Sequence, residues 1–226
     1  MRKEIRPAGG RNCVVFYPDR ETEPAKPYLL LQPAEEHDGS SFEEQAAMIA
    51  ERTDKPFVFC CFPLNDWNKD LTPWSAPPVF GDEPFGDGAE GTLDYIRRSL
   101  LPAFDHSGCV IGGYSLAAFF ALWCGYGSDL FAGVAAASPS VWYPGWMDYI
   151  RVHPFRVRAA ALSLGDREMK TRNQTMAKVG DCMQEQYRLL EEAENVSASF
   201  EWNSGNHFKD ADLRTAKVFA QCLEML

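Results

Sequence analysis

The segment Gly112-Gly113-Tyr114-Ser115-Leu116-Ala117-Ala118 places a serine between an apolar run and a stretch of small and apolar residues. At a strand-to-helix junction such a serine stands on a tight turn. Its hydroxyl projects above the sheet, and its neighbours at 113 and 117 must be small so that strand and helix can approach. Taken alone, Ser115 is equally a helix cap, a favoured use of serine. A hydroxyl becomes a nucleophile only when an imidazole takes its proton and a carboxylate orients that imidazole. On a doubly wound sheet those groups follow in the order serine, acid, histidine. Of His37, His106, His153 and His207, only His207 lies beyond both Ser115 and a strand-end acid, in the polar loop Asn203-Ser204-Gly205-Asn206-His207-Phe208. The acid expected is Asp166, the first carboxylate past the apolar run Ala159 to Leu164, where Gly165 permits a sharp exit. Glu168 is the runner-up, and Asp148 and Asp129 sit in less suitable places. The spacings, 51 residues from Ser115 to Asp166 and 41 from Asp166 to His207, each leave room for one helix–strand step.

Attack on a carbonyl also requires donors for the oxyanion that forms. One is the backbone N–H of Leu116, directly after the nucleophile at a helix start. The other belongs in Gln32-Pro33-Ala34, after an earlier strand; proline has no N–H, so Ala34 is the candidate. Two aromatic loops follow strand ends. One carries Trp67 and Trp74 and the other Trp142, Tyr143 and Trp146. Trp67, Trp142 and Tyr143 are candidates to wall a site for a flat acyl group. Rings in Pro-rich loops serve equally as packing anchors.

The elements that must hold these residues are legible in the hydrophobic pattern. Strands are expected at 13–17, 28–31, 56–62, 109–113, 133–137, 158–164 and 198–202, and helices from Ser41, at 92–101, 116–124, 175–193 and 210–225. A long aromatic, Pro- and Gly-rich loop is expected from Pro63 to about Gly88 and an irregular one over 138–146. Ser41 with Glu44 forms a capping box. Apolar strands alternating with helices imply an α/β architecture: one mostly parallel, doubly wound sheet with helices on both faces. No linker or repeat divides the chain, so residues 1–226 are expected to be a single domain without a separate lid domain.

Composition narrows the chemistry. The formal charge is −10, with 22 Lys and Arg against 32 Asp and Glu, so phosphate-rich partners are disfavoured and neither nucleic acid nor an anionic membrane surface is expected. No apolar run approaches the roughly 18 residues of a spanning helix. The charged start, Met1 to Pro7, has no apolar stretch behind it, and the seven cysteines contain no CxxC pair; a reduced, cytoplasmic protein is the expectation. The histidines show no H-x-x-x-H spacing, so no metal is expected, and no G-x-G-x-x-G follows the first strands, so no nucleotide cofactor is. The oligomeric state is not legible.

With Gly-Tyr-Ser-Leu-Ala at 113–117, Leu-Gly-Asp at 164–166, Gly-Asn-His-Phe at 205–208 and Ser-Pro-Ser at 138–140 followed by Val141-Trp142, the chain resembles the α/β-hydrolase superfamily. It is most similar to a small esterase group that includes esterase D-like and feruloyl-esterase-like enzymes. The resemblance runs from about Cys13 to the C-terminus. It implies an ester hydrolase working through an acyl-enzyme, with Ser115, Asp166 and His207 as its triad and a small ester as substrate. One departure is that Gln32-Pro33 stands where the group has His-Gly. Acyl transfer and cleavage of thioesters or amides use the same triad. A binding scaffold of this type would carry a broken one.

Overall fold

Eight strands form one sheet in the computed structural model, which describes residues 1–19, 26–35 and 41–226. They are β1 (Arg2–Ala8), β2 (Arg11–Tyr17), β3 (Tyr28–Ala34), β4 (Phe57–Pro63), β5 (Gly108–Tyr114), β6 (Gly133–Ala137), β7 (Ala159–Gly165) and β8 (Ser197–Asn203). Their spatial order is β1-β2-β4-β3-β5-β6-β7-β8. The β1–β2 and β2–β4 pairs are antiparallel and all the others parallel. The expected mostly parallel, doubly wound sheet is therefore present.

Both faces are covered, which is why β6 and β7 are buried along their whole length and read as continuous apolar runs. On one face lie α1 (Ser41–Ala50) and α7 (Ala211–Glu224), whose Phe42, Ile49, Val218 and Phe219 pack on Leu30, Phe59 and Val110. On the other lie α3 (Ala89–Tyr95), α4 (Leu116–Gly127), α5 (Trp146–Val152) and α6 (Val179–Glu191). Every residue of α4 except Gly127 is buried, so it lacks a polar stripe; α6 buries Val179, Met183, Gln186 and Leu190 at the spacing of a one-sided surface helix. No described helix is long and apolar enough to cross a membrane.

Three elements differ from expectation. The charged N-terminus is a strand, β1, paired residue for residue with β2 around Gly9-Gly10, whose φ values of 54° and 82° fit a tight hairpin turn. Its charges are tolerated because it is the sheet's edge. The aromatic loops contain α2 (Trp67–Asp70), capped by the Asp66 side chain on the Lys69 N–H, and α5, entered through Gly145 in a left-handed conformation. The helix expected at 92–101 begins earlier, as α3, and continues through a wider turn at 96–100.

Candidate active site

Ser115 sits between β5 and α4 with φ 56° and ψ −117°, a conformation costly for a non-glycine residue, on the order of 1–3 kcal/mol. Its backbone is held on both sides: the Ser115 N–H donates to the Ala137 carbonyl (3.1 Å), and its own carbonyl accepts from Phe119 (3.0 Å) and Ser140 (3.2 Å). The need for small neighbours is measurable. A Cβ on Gly113 would lie 2.8 Å from the Ala117 Cβ, so alanine fits at 117 only because 113 is glycine.

The loop after β8 carries His207 to this hydroxyl, with Nε2 3.0 Å from the Ser115 Oγ. Nδ1 lies 2.7 Å from a carboxylate oxygen, and that carboxylate is Glu168, not Asp166. The chain turns sharply after β7, Glu168 N–H donating to the Gly165 carbonyl at 3.1 Å, and this folds the third residue of the turn back inward. Asp166 points outward, is exposed, and accepts the Gly205 N–H at 2.7 Å, bracing the histidine loop from outside. The close approach of the two loops explains Gly165, where a Cβ would meet the Gly205 carbonyl at 2.5 Å and the Glu168 Oε1 at 2.8 Å.

Glu168 Oε1 accepts from the Ser138 hydroxyl (2.6 Å), the Gly165 N–H (2.7 Å) and Arg214 (3.0 Å), leaving Oε2 for the imidazole. Burial pushes this carboxyl upward, but the hydrogen bonds from His207 and Ser138, the attraction of His207 and the Gly165 N–H outweigh it. The carboxyl stays below its ordinary value of 4.5. Arg214, on α7, is 1% exposed. Besides Glu168 it reaches the Tyr114 hydroxyl (3.2 Å) and the Ser204 carbonyl (3.2 Å), and Tyr114 donates to the His207 carbonyl at 2.7 Å. Three of the four described non-glycine residues with positive φ, Ser115, Ser138 and Asp210, lie on these segments.

Sequence reasoning missed Arg214, Ser138 and Tyr114. The one available signal was a cation in the otherwise small and apolar stretch Leu213 to Ala216 of a helix start.

No protein-family model matches the chain, and no curated protein matches it. Solved structures do. An IroE-like serine hydrolase from Shewanella oneidensis superposes with a TM-score of 0.75 at 14% identity, over 93% of this chain and 75% of that one. The siderophore hydrolase EstB from Aspergillus nidulans gives 0.72 at 16%, over 97% and 94%. The BES protein from Bacillus cereus gives 0.68 at 17%, over 97% and 93%. The chain has the α/β-hydrolase fold.

In this fold the N–H of Leu116, first residue of α4 and directly after Ser115, has no acceptor within the helix. Ala34 is not the second donor. Its carbonyl accepts from Leu64 (3.4 Å), so residue 34 faces β4, and in a parallel ladder a residue's N–H faces the same way as its carbonyl. The residue that turns toward β5 just past the last β3–β5 pair, Leu31 with Ile111, is Pro33, which has no N–H.

Two cavities flank the serine–histidine pair. One of about 330 Å³ touches Ser115, Gln32, Pro33, Trp67 and Asp212. The other, about 230 Å³, touches His207, Glu168 and Trp142. Trp67 and Trp142 thus each border one of these two cavities. Tyr143 does not: it is 2% exposed, its hydroxyl donates to the Trp74 carbonyl (2.6 Å), and its ring packs on Phe119. Larger cavities of about 350 and 460 Å³ lie elsewhere and touch neither Ser115 nor His207. His106 and His153 line neither of the two cavities beside the serine–histidine pair, and His37 falls outside the described residues. Among the described residues no cluster of His, Cys, Asp and Glu is arranged to hold a metal.

Proposed function

We propose that this protein is a serine carboxylic-ester hydrolase whose triad is Ser115, His207 and Glu168. The observation that carries the reading is the unbroken relay of 3.0 Å from hydroxyl to imidazole and 2.7 Å from imidazole to carboxylate. The Ser115 oxygen attacks the ester carbonyl as His207 Nε2 takes its proton. The tetrahedral oxyanion is met by the Leu116 N–H. His207 then returns the proton to the departing alcohol, leaving an acyl-serine. Water attacks that acyl group by the same sequence, His207 again acting as base. Glu168, ionised and fixed by three donors, holds the imidazole in the tautomer with hydrogen on Nδ1 and stabilises the imidazolium that forms. The serine-hydrolase and siderophore-hydrolase descriptions of the structural neighbours support the same chemistry and make ester-linked siderophores worth assaying. All seven cysteines are free thiols, which supports a reducing compartment, the cytoplasm.

The test is hydrolysis of p-nitrophenyl acetate. Wild-type protein is expected to turn it over, and Ser115→Ala to lose at least 99% of kcat, about the loss a missing nucleophile produces. Full activity in Ser115→Ala excludes the mechanism.

A further inference from the structure

The two cavities beside the serine–histidine pair differ in charge. The one on the Ser115 side includes a carboxylate, Asp212, and no cation. The one on the His207 side is bordered by Arg167 and Lys170, both exposed at the rim, and its only carboxylate is Glu168. Glu168 is already engaged by Arg214 and His207, and its side chain is 3% exposed, so it does not neutralise the rim. Neither Arg167 nor Lys170 forms an ion pair among the described residues. In a chain with a formal charge of −10, this is a local reversal of sign at the mouth of the catalytic centre. Below the rim the walls are apolar, with Trp142, Met176 and Val179, and Phe208 stands 89% exposed beside His207.

We infer that the His207-side cavity is a subsite for an anionic group on an aromatic or apolar leaving alcohol, a carboxylate met by Arg167 and Lys170. The inference rests on the hydrolase reading above. The alcohol occupies this side because His207 must reach the leaving oxygen to protonate it, and this cavity touches His207 and not Ser115. The apolar walls take the ring, and the rim cations take the charge. A guanidinium binds a carboxylate through paired N–H donors, while an ammonium contributes a mobile point charge. The same cations raise the local concentration of anionic substrate against the overall negative field.

The experiment compares 4-acetoxybenzoate with 4-acetoxybenzamide, which share the acetyl group and differ in the charge of the leaving phenol. Wild-type protein is expected to show a kcat/KM at least tenfold higher for the anion, falling toward parity in 0.5 M NaCl as the rim is screened. Arg167→Gln with Lys170→Gln is expected to reduce the ratio of the two kcat/KM values by at least tenfold. A wild-type ratio near one, or a ratio that stays within twofold of wild type in the double variant, overturns the subsite. If wild-type protein hydrolyses neither ester and is not labelled by a fluorophosphonate, the hydrolase reading itself has failed and the subsite with it. Labelling at Ser115 without a charge preference overturns the subsite alone.

Discussion

Exchanging Glu168 for glutamine replaces one oxygen by an NH₂ group, and the surrounding donors dictate which way the new amide lies. Gly165 N–H, the Ser138 hydroxyl and Arg214 all point at Oε1, at 2.7, 2.6 and 3.0 Å. Three donors fix the amide oxygen at that position and turn the NH₂ toward His207 Nδ1, where the carboxylate oxygen lay at 2.7 Å. Nδ1 must then accept, the ring proton moves to Nε2, and Nε2 can no longer take the proton of Ser115. Loss of the correct tautomer in a serine triad lowers turnover by about 10³–10⁴-fold, or about 4–5.5 kcal/mol of activation free energy at about 1.36 kcal/mol per decade. The variant also leaves Arg214 buried without its counter-charge, destabilising by up to about 3–5 kcal/mol. Rates on p-nitrophenyl acetate are therefore normalised to the folded fraction measured by circular dichroism. Asp166→Asn is the paired control. Its Oδ1 still accepts the Gly205 N–H, and the loss of charge on that bond is worth about 1 kcal/mol, so kcat/KM is expected within about fivefold of wild type. Should Asp166→Asn abolish turnover while folded Glu168→Gln keeps it, the acid assigned from the geometry is wrong.

Arg214→Leu strands the Glu168 carboxylate in a buried site; unfolding free energy is expected to fall by about 3–5 kcal/mol, read by urea denaturation, and an unchanged midpoint would show that Arg214 is dispensable. Stability is also expected to depend on pH through Glu168. Its carboxyl is lower in the folded than in the unfolded chain, so its contribution is complete above the ordinary value of 4.5 and is lost as pH falls through the folded value. Urea midpoints taken across that range should decline less steeply with acid in Glu168→Gln than in wild type, and equal slopes would contradict the assignment.

The sheet, its two helical layers and two of the three residues in the Ser115–His207–Glu168 hydrogen-bonded relay are legible in the sequence because each depends on a local pattern. Val110 to Gly113 followed by Ser115, and Ala198 to Trp202 followed by His207, are runs whose ends fall on one edge of a parallel sheet whatever the details of packing. The acid is harder. Asp166 and Glu168 are two residues apart, and which of them meets the imidazole depends on whether the chain turns back after Gly165, a property of backbone conformation that no apolar periodicity reports. The spacing Gly165-x-x-Glu168, with the carboxylate returning to its own strand's last N–H, is the signal that would have distinguished them. Arg214 escaped for a related reason: periodicity counts an arginine as surface, and only the Glu168 carboxylate, 46 residues earlier in the turn after β7, makes its burial tolerable. At the oxyanion loop the alternation of β3 decided against Ala34, because one residue's shift in register exchanges β4 for β5 as its neighbour.

Labelling with a fluorophosphonate probe, followed by peptide mapping, tests the central claim most directly, because the probe reacts only with a serine made nucleophilic by its surroundings. Stoichiometric modification of Ser115 in the folded wild-type protein, with a rate reduced by orders of magnitude in folded His207→Gln, is the result the account predicts. A folded wild-type protein that remains unlabelled, or is labelled at a serine other than Ser115, would contradict it.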